Sequence, residues 1–273
     1  RRMLEHFLKQ LVSPDPDSRA AAFEGLREID PTAISEAEFR QIGNSLREFI
    51  VSSEYSDPER QIAATVLGVL GNESILLELL NSETPSVRGQ AAVGLGECGT
   101  ESACKVLTQL LQDSVNTVRN LAERSLIKQI ELVKSHCLED LLDLLSHPEP
   151  LTHSPAARLL GLTQSPDALA PLLKMATEGE KWLTRVWSVK ALGDLGQQEA
   201  FETLSRILLN DEKNRVRAAA ATAIAELRHA KSRELLESID AETDEGVKTA
   251  IEEALELLQR SGQAEAADPY ADS

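Results

Sequence analysis

Aromatic residues are scarce: five Phe, two Tyr and two Trp make up 3% of 273 residues. Large single cores lean on such side chains, so their shortage points to thin layers filled by Ala and Leu. Cysteine is rarer still. Cys98, Cys104 and Cys137 form no CxxC pair, which fits a reducing compartment and small buried thiols; a Cys98–Cys104 disulfide is the alternative. Pro and Gly number 11 and 14, too few for a low-complexity chain. No apolar run reaches the ~18 residues that a bilayer demands, and Glu5, His6, Lys9 and Gln10 interrupt any signal-peptide core. A cytoplasmic location with no membrane partner is therefore expected. Arg1-Arg2-Met3 leaves room for a piece of a longer protein. Positive charge is also short, with 28 Lys and Arg against 45 Asp and Glu, a net charge of −17. That field repels phosphate backbones, so no nucleic-acid partner is expected. It suits solubility and basic partners, or simply a solvated exterior.

Catalytic motifs are missing too. The five histidines (His6, His136, His147, His153, His229) include no HExxH and no His-Glu dipeptide. His136, Cys137 and His147 are the one loose Cys/His cluster. They read as surface or turn residues, with a two- or three-ligand zinc site as the alternative. There is no GxxxxGK[ST], no GxGxxG after a strand and no GxSxG. Gly94-Leu95-Gly96 and Gly193-Asp194-Leu195-Gly196 read as close helix packing and helix ends. On so acidic a chain, carboxylate pairs single out no acid–base couple. The expectation is no catalytic residue, no cofactor and no metal.

What the chain does have is a recurring frame. A basic residue is followed by two small residues at +3 and +4, Leu or Ile at +7, and a small residue at +8. It is clearest at Arg88 (Ala91, Ala92, Leu95, Gly96) and returns at Arg60, Arg185 and Arg217, with weaker copies at Arg19, Arg119, His153 and Lys248. The spacings, by subtraction, are 41, 28, 31, 34, 32, 32 and 31. A period near 32 means a stacked array rather than one central core. Each unit reads as a helix, an acidic turn and a second helix. Asp113 and Asp211 lie six residues before Arg119 and Arg217. Such a turn acid can cap a helix or pair with the basic residue of a neighbouring layer.

Leu110-Leu111-Gln112-Asp113 with Val118-Arg119, and Leu208-Leu209-Asn210-Asp211 with Val216-Arg217, resemble the HEAT family. The likeness is to its short repeats of the phycobilin-lyase type and covers roughly residues 4 to 258. It implies an all-α, right-handed α-α superhelix of about eight two-helix repeats, whose second helices line a concave face. The expected organisation is one array over 1–260, with an irregular first unit and a 35–55 insertion. A disordered acidic tail at 261–273 follows. Pro148, Pro150 and Pro155 crowd the turn of the His153 unit.

The position five residues beyond each frame residue should face the concave side. Down the units it reads Glu24, Thr65, Val93, Arg124, Arg158, Lys190, Thr222 and Glu253. Three consecutive layers are basic. Lys128 lies one turn beyond Arg124, and Trp187 three residues before Lys190. Arg124, Lys128, Arg158, Trp187 and Lys190 thus form a candidate strip for an acidic protein or peptide, with Arg as the bidentate partner. The alternative is that these cations pair with acids of neighbouring layers and Trp187 packs between repeats. The leading function is a non-catalytic protein–protein interaction scaffold. The resemblance offers a second reading, an accessory protein handling a linear tetrapyrrole on an antenna protein, with the cations clamping propionates. A third, binding of damaged DNA as in HEAT-like glycosylases, needs more positive charge than this chain carries. Nothing in the sequence sets an oligomeric state.

Overall fold

The computed structural model describes residues 2–267. It divides into two compact units, one up to Cys137 and one from Leu138 on. Among the described residues there is no strand. In the first unit, α1 (Arg2–Leu11) packs on α2 (Pro16–Arg27), α3 (Glu36–Val51) on α4 (Asp57–Val69), α5 (Glu73–Leu79) on α6 (Pro85–Cys98), and α7 (Glu101–Gln109) on α8 (Asn116–Lys128). A short α9 (Ile130–His136) packs on α7 and α8. In the second unit the pairs are α10 (Leu138–Leu145) with α11 (His153–Thr163), and α12 (Leu169–Glu178) with α13 (Trp182–Leu195). They continue with α14 (Phe201–Asn210) on α15 (Asn214–Leu227), and α16 (Ser232–Glu237) on α17 (Glu245–Ala267). The chain is an all-α repeat fold of two-helix layers.

Three expectations meet particular residues here. The 35–55 stretch is α3 and its following turn, and α3 packs on α4 as the first helix of an ordinary layer. Its 16 residues, started by a Ser35–Glu38 capping box, lengthen that layer and account for the gap of 41. Residues 261–267 of the expected tail continue α17, in keeping with the helix-favouring Gln, Ala and Glu there; 268–273 lie outside the described residues. The prolines sit where the fold tolerates them, Pro150 opening a 3-10 turn and Pro155 in the first turn of α11.

The frame residues carry the layers. The +3, +4 and +7 side chains are fully buried: Ala63, Ala64 and Leu67; Ala91, Ala92 and Leu95; Ser188, Val189 and Leu192; Ala220, Ala221 and Ile224. The +8 residue decides how closely second helices approach. A Cβ on Gly68 would lie 2.0 Å from the Gly94 carbonyl, and one on Gly161 2.8 Å from that of Ala191. Eleven residues past the frame residue the backbone turns left-handed, at Gly71, Gly99 and Gly196, and also at Gln164 and Arg228. In those five units the second helix ends there, on glycine in three and on Gln164 and Arg228 in two.

The frame arginine ties one layer to the next. Arg88 donates Nε and Nη2 to the two carboxylate oxygens of Asp113 at 2.9 and 3.1 Å, and Nη1 to the Ser82 carbonyl. Arg119 then donates to the Asp113 carbonyl at 2.7 Å. One turn acid is therefore held from two layers. The second unit repeats the device: Arg185 grips the Asp211 carboxylate at 2.9 and 3.1 Å, and Arg217 donates to the Asp211 carbonyl. Arg217 grips Glu242 in turn, at 2.9 and 3.1 Å. His153 takes the arginine's place with its Nε2 donating to the His147 carbonyl, which leaves Nδ1 to accept from Thr184 Oγ1 at 3.1 Å. Burial pushes the Asp113 carboxyl up, but hydrogen bonds from Arg88 and the Val115 N–H outweigh it and hold it below its ordinary value.

Replacing Asp113 by Ala should cost about 2–3 kcal/mol in urea unfolding at pH 7. Arg40→Ala, which removes an exposed pair with Glu36, should stay below about 1 kcal/mol. Because the folded Asp113 carboxyl is depressed, its contribution is present above the unfolded pKa of about 3.9 and fades as pH falls through the folded value. The two unfolding curves should therefore converge in acid. Gln164→Gly relieves a left-handed non-glycine residue and should stabilise by about 0.5–1 kcal/mol in the same assay.

Candidate interaction surface

Second helices α11, α13, α15 and α17 pack side by side in the second unit. Along α13, Leu183, Trp187, Lys190 and Asp194 recur at i, i+4, i+7 and i+11, which places them on one stripe. The matching positions supply Arg158 and Leu162 on α11, and Arg215, Thr222 and Glu226 on α15. Leu162, Leu183, Lys190, Asp194 and Glu226 are exposed, and Arg158 and Trp187 are half-buried. Close approach makes these stripes one surface. A Cβ on Gly193 would lie 3.0 Å from Ala223 Cα and 2.2 Å from Glu226 Oε2, so the bare glycine lets α15 lean in with its carboxylate.

Trp187 is the centre. The Arg158 guanidinium carbon lies 4.5 Å from its ring centroid and Lys190 Nζ 4.9 Å, both within cation–π range. One turn further along lie two acids. Although the Asp194 side chain stays exposed, loss of water on its helix-facing side raises its carboxyl above its ordinary value, against the pull of Arg158 and Lys190. The same partial desolvation raises Glu226, the Asp194 charge adds to it, and Lys190 opposes. The surface thus runs from an apolar end at Leu183, through an aromatic ring with two cations, to a pair of carboxylates.

Of the five strip residues, the structure brings Arg158, Trp187 and Lys190 together. Arg124 and Lys128 lie exposed on α8 in the first unit, where Lys128 Nζ pairs with Glu97 at 2.6 Å. The internal pairing weighed for these cations holds at that residue. Sequence reasoning missed Asp194 and Glu226. They sit nine residues past their frame arginines, a column that also holds Glu97 and Lys128, so the same offset count would have found them.

The Cys/His group has separate partners. His136 Nδ1 lies 3.4 Å from Glu101, His147 Nδ1 accepts the Glu149 N–H at 3.1 Å, and Cys137 packs on Cys104. Cys98 does not meet Cys104; its thiol points to the Gly94 carbonyl, and burial with Glu73 and Glu97 pushes it up to about 12. Among the described residues no helix is long and apolar enough to cross a membrane. No group of three or more His, Cys, Asp and Glu among them could hold a metal ion.

Residues 43–127 and 171–256 match the family model for HEAT repeats. Among solved structures, the chain is similar to human deoxyhypusine hydroxylase in complex with glycerol, at 19% identity over 95% of this chain and 96% of that one, with a TM-score of 0.41. It is similar to an engineered protein at 19% identity over 98% and 85%, TM-score 0.45. It is also similar to the complex of CpcE and CpcF of phycocyanin lyase from Nostoc sp. PCC7120, at 20% identity over 93% and 94%, TM-score 0.38. No curated protein matches the chain in sequence.

Lys190→Met and Arg158→Met each remove a cation that favours ionised Asp194 and should raise its pKa further, read by a carboxyl 13C NMR titration. Lys174→Met, on the other helix layer, should leave it unchanged.

Proposed function

Because the chain belongs to the HEAT-repeat family, we propose that it is a non-catalytic interaction scaffold whose second-helix face takes an acidic segment of a partner protein. The observation that carries this reading is Trp187 with both Arg158 and Lys190 over its ring. The two cations offer charge-assisted hydrogen bonds to Asp or Glu side chains, and the ring offers an amphipathic anchor of the kind interfaces favour. Asp194 and Glu226 then act as a stop, repelling further acids and setting which way the segment lies. On α8, Arg124 offers the same chemistry within the first unit, beside a Lys128 that Glu97 already engages.

A Trp182→Phe protein leaves Trp187 as the single indole reporter. Titrating it with a peptide of mixed Glu and Leu should change its emission, with affinity falling as salt rises. Arg158→Glu/Lys190→Glu should bind at least about tenfold more weakly while keeping the native helical circular dichroism. Equal binding by both proteins, or preference for a Lys-and-Leu peptide, would discard this reading; visible absorbance retained from an added bilin would put the tetrapyrrole in its place.

A further inference from the structure

The first unit contains a pair of thiols that the interaction surface does not use. Cys104, on α7, and Cys137, at the C-terminal end of α9, are both fully buried. They are 33 residues apart, one repeat period, so the packing of α7 against α9 sets them side by side. Their sulfurs lie 3.1 Å apart. A disulfide needs about 2.0 Å, so the two sulfurs stand roughly 1 Å beyond bonding distance. Cys98, in the same unit, is turned to the Gly94 carbonyl and takes no part.

We propose that Cys104 and Cys137 are an oxidation site: a dithiol that a small disulfide such as oxidised glutathione converts into an intramolecular bond clasping α7 to α9. The chemistry balances as two exchanges. The Cys137 thiolate attacks the small disulfide, forming a mixed disulfide and expelling one thiolate. The Cys104 thiolate then attacks the Cys137 sulfur, expelling the second. The protein loses two protons and two electrons, and the small disulfide is reduced to two thiols. Cys137 is the entry point because it caps a helix of only seven residues, the kind of short element that opens locally without global unfolding. The bond would close a loop holding all of α8 and α9, and would restrict the unfolded chain accordingly. The first unit would then have a reduced and an oxidised form that differ in rigidity rather than in fold.

The test exposes the native full chain to oxidised glutathione, alkylates the remaining thiols and measures intact mass. One alkylated thiol, a loss of two hydrogens and a digest peptide joining Cys104 to Cys137 are expected. Cys98→Ala should form the bond as readily. The oxidised protein should unfold at least ~5 °C higher than the reduced one and return to the lower midpoint with dithiothreitol. A bond that includes Cys98, a stable glutathione adduct on either buried cysteine, or three free thiols after prolonged exposure would each overturn the proposal. Because the Cys98→Ala protein retains both buried sulfurs, the result does not depend on a core substitution being tolerated.

Discussion

A turn acid held from two layers at once is the interaction on which the rest of this fold depends. At Asp113 and at Asp211 the preceding second helix sends a guanidinium forward to the carboxylate, while that layer's own arginine holds the same residue's carbonyl. The contact is local to a pair of layers and carries no information from further along the chain. Repetition of one such joint is sufficient to build a stack, which is why a period near 32 can stand in for a central core. Where the arginine is absent, His153 reproduces the backward bond to the carbonyl six residues earlier and reaches the next layer through Thr184. The geometry of the joint matters more than the charge that usually fills it.

The second constraint is backbone proximity. Gly68, Gly161 and Gly193 have no room for a side chain, because the neighbouring second helix is already there. With +3, +4, +7 and +8 all spent on packing, the positions left over on a second helix form a separate stripe. Function is free to vary on that stripe without disturbing the stack. On α13 the stripe carries Leu183, Trp187, Lys190 and Asp194, and close approach to α15 adds Glu226. The make-up of the second unit's exposed stripe is therefore a by-product of how tightly its helices pack.

This separation explains why an acidic chain can still present a cationic aromatic site. The net charge of −17 describes the whole surface, whereas the stripe sees only its neighbours. Around Trp187 the local balance is two cations against two exposed carboxylates whose ionisation partial desolvation disfavours.

The sequence by itself determined the all-α class, the two-helix layer and the positions along each helix that pack, and it left the turn acid between capping a helix and pairing with a neighbouring layer. These follow from periodicity, and periodicity is a property of neighbours a few residues apart. It also made Arg158, Trp187 and Lys190 a group, since equivalent offsets in adjoining repeats must lie side by side. It did not show that Lys128 is taken by Glu97, or that Gln164 and Arg228 adopt the glycine-like turn. Nor did it show that Cys104 faces Cys137 rather than Cys98. Those outcomes depend on which side chains meet across layers, some thirty residues apart in the chain and a few ångströms apart in space. Only the tertiary packing decides such distances, because the offset of a residue within its repeat says which face it is on and not what it touches there.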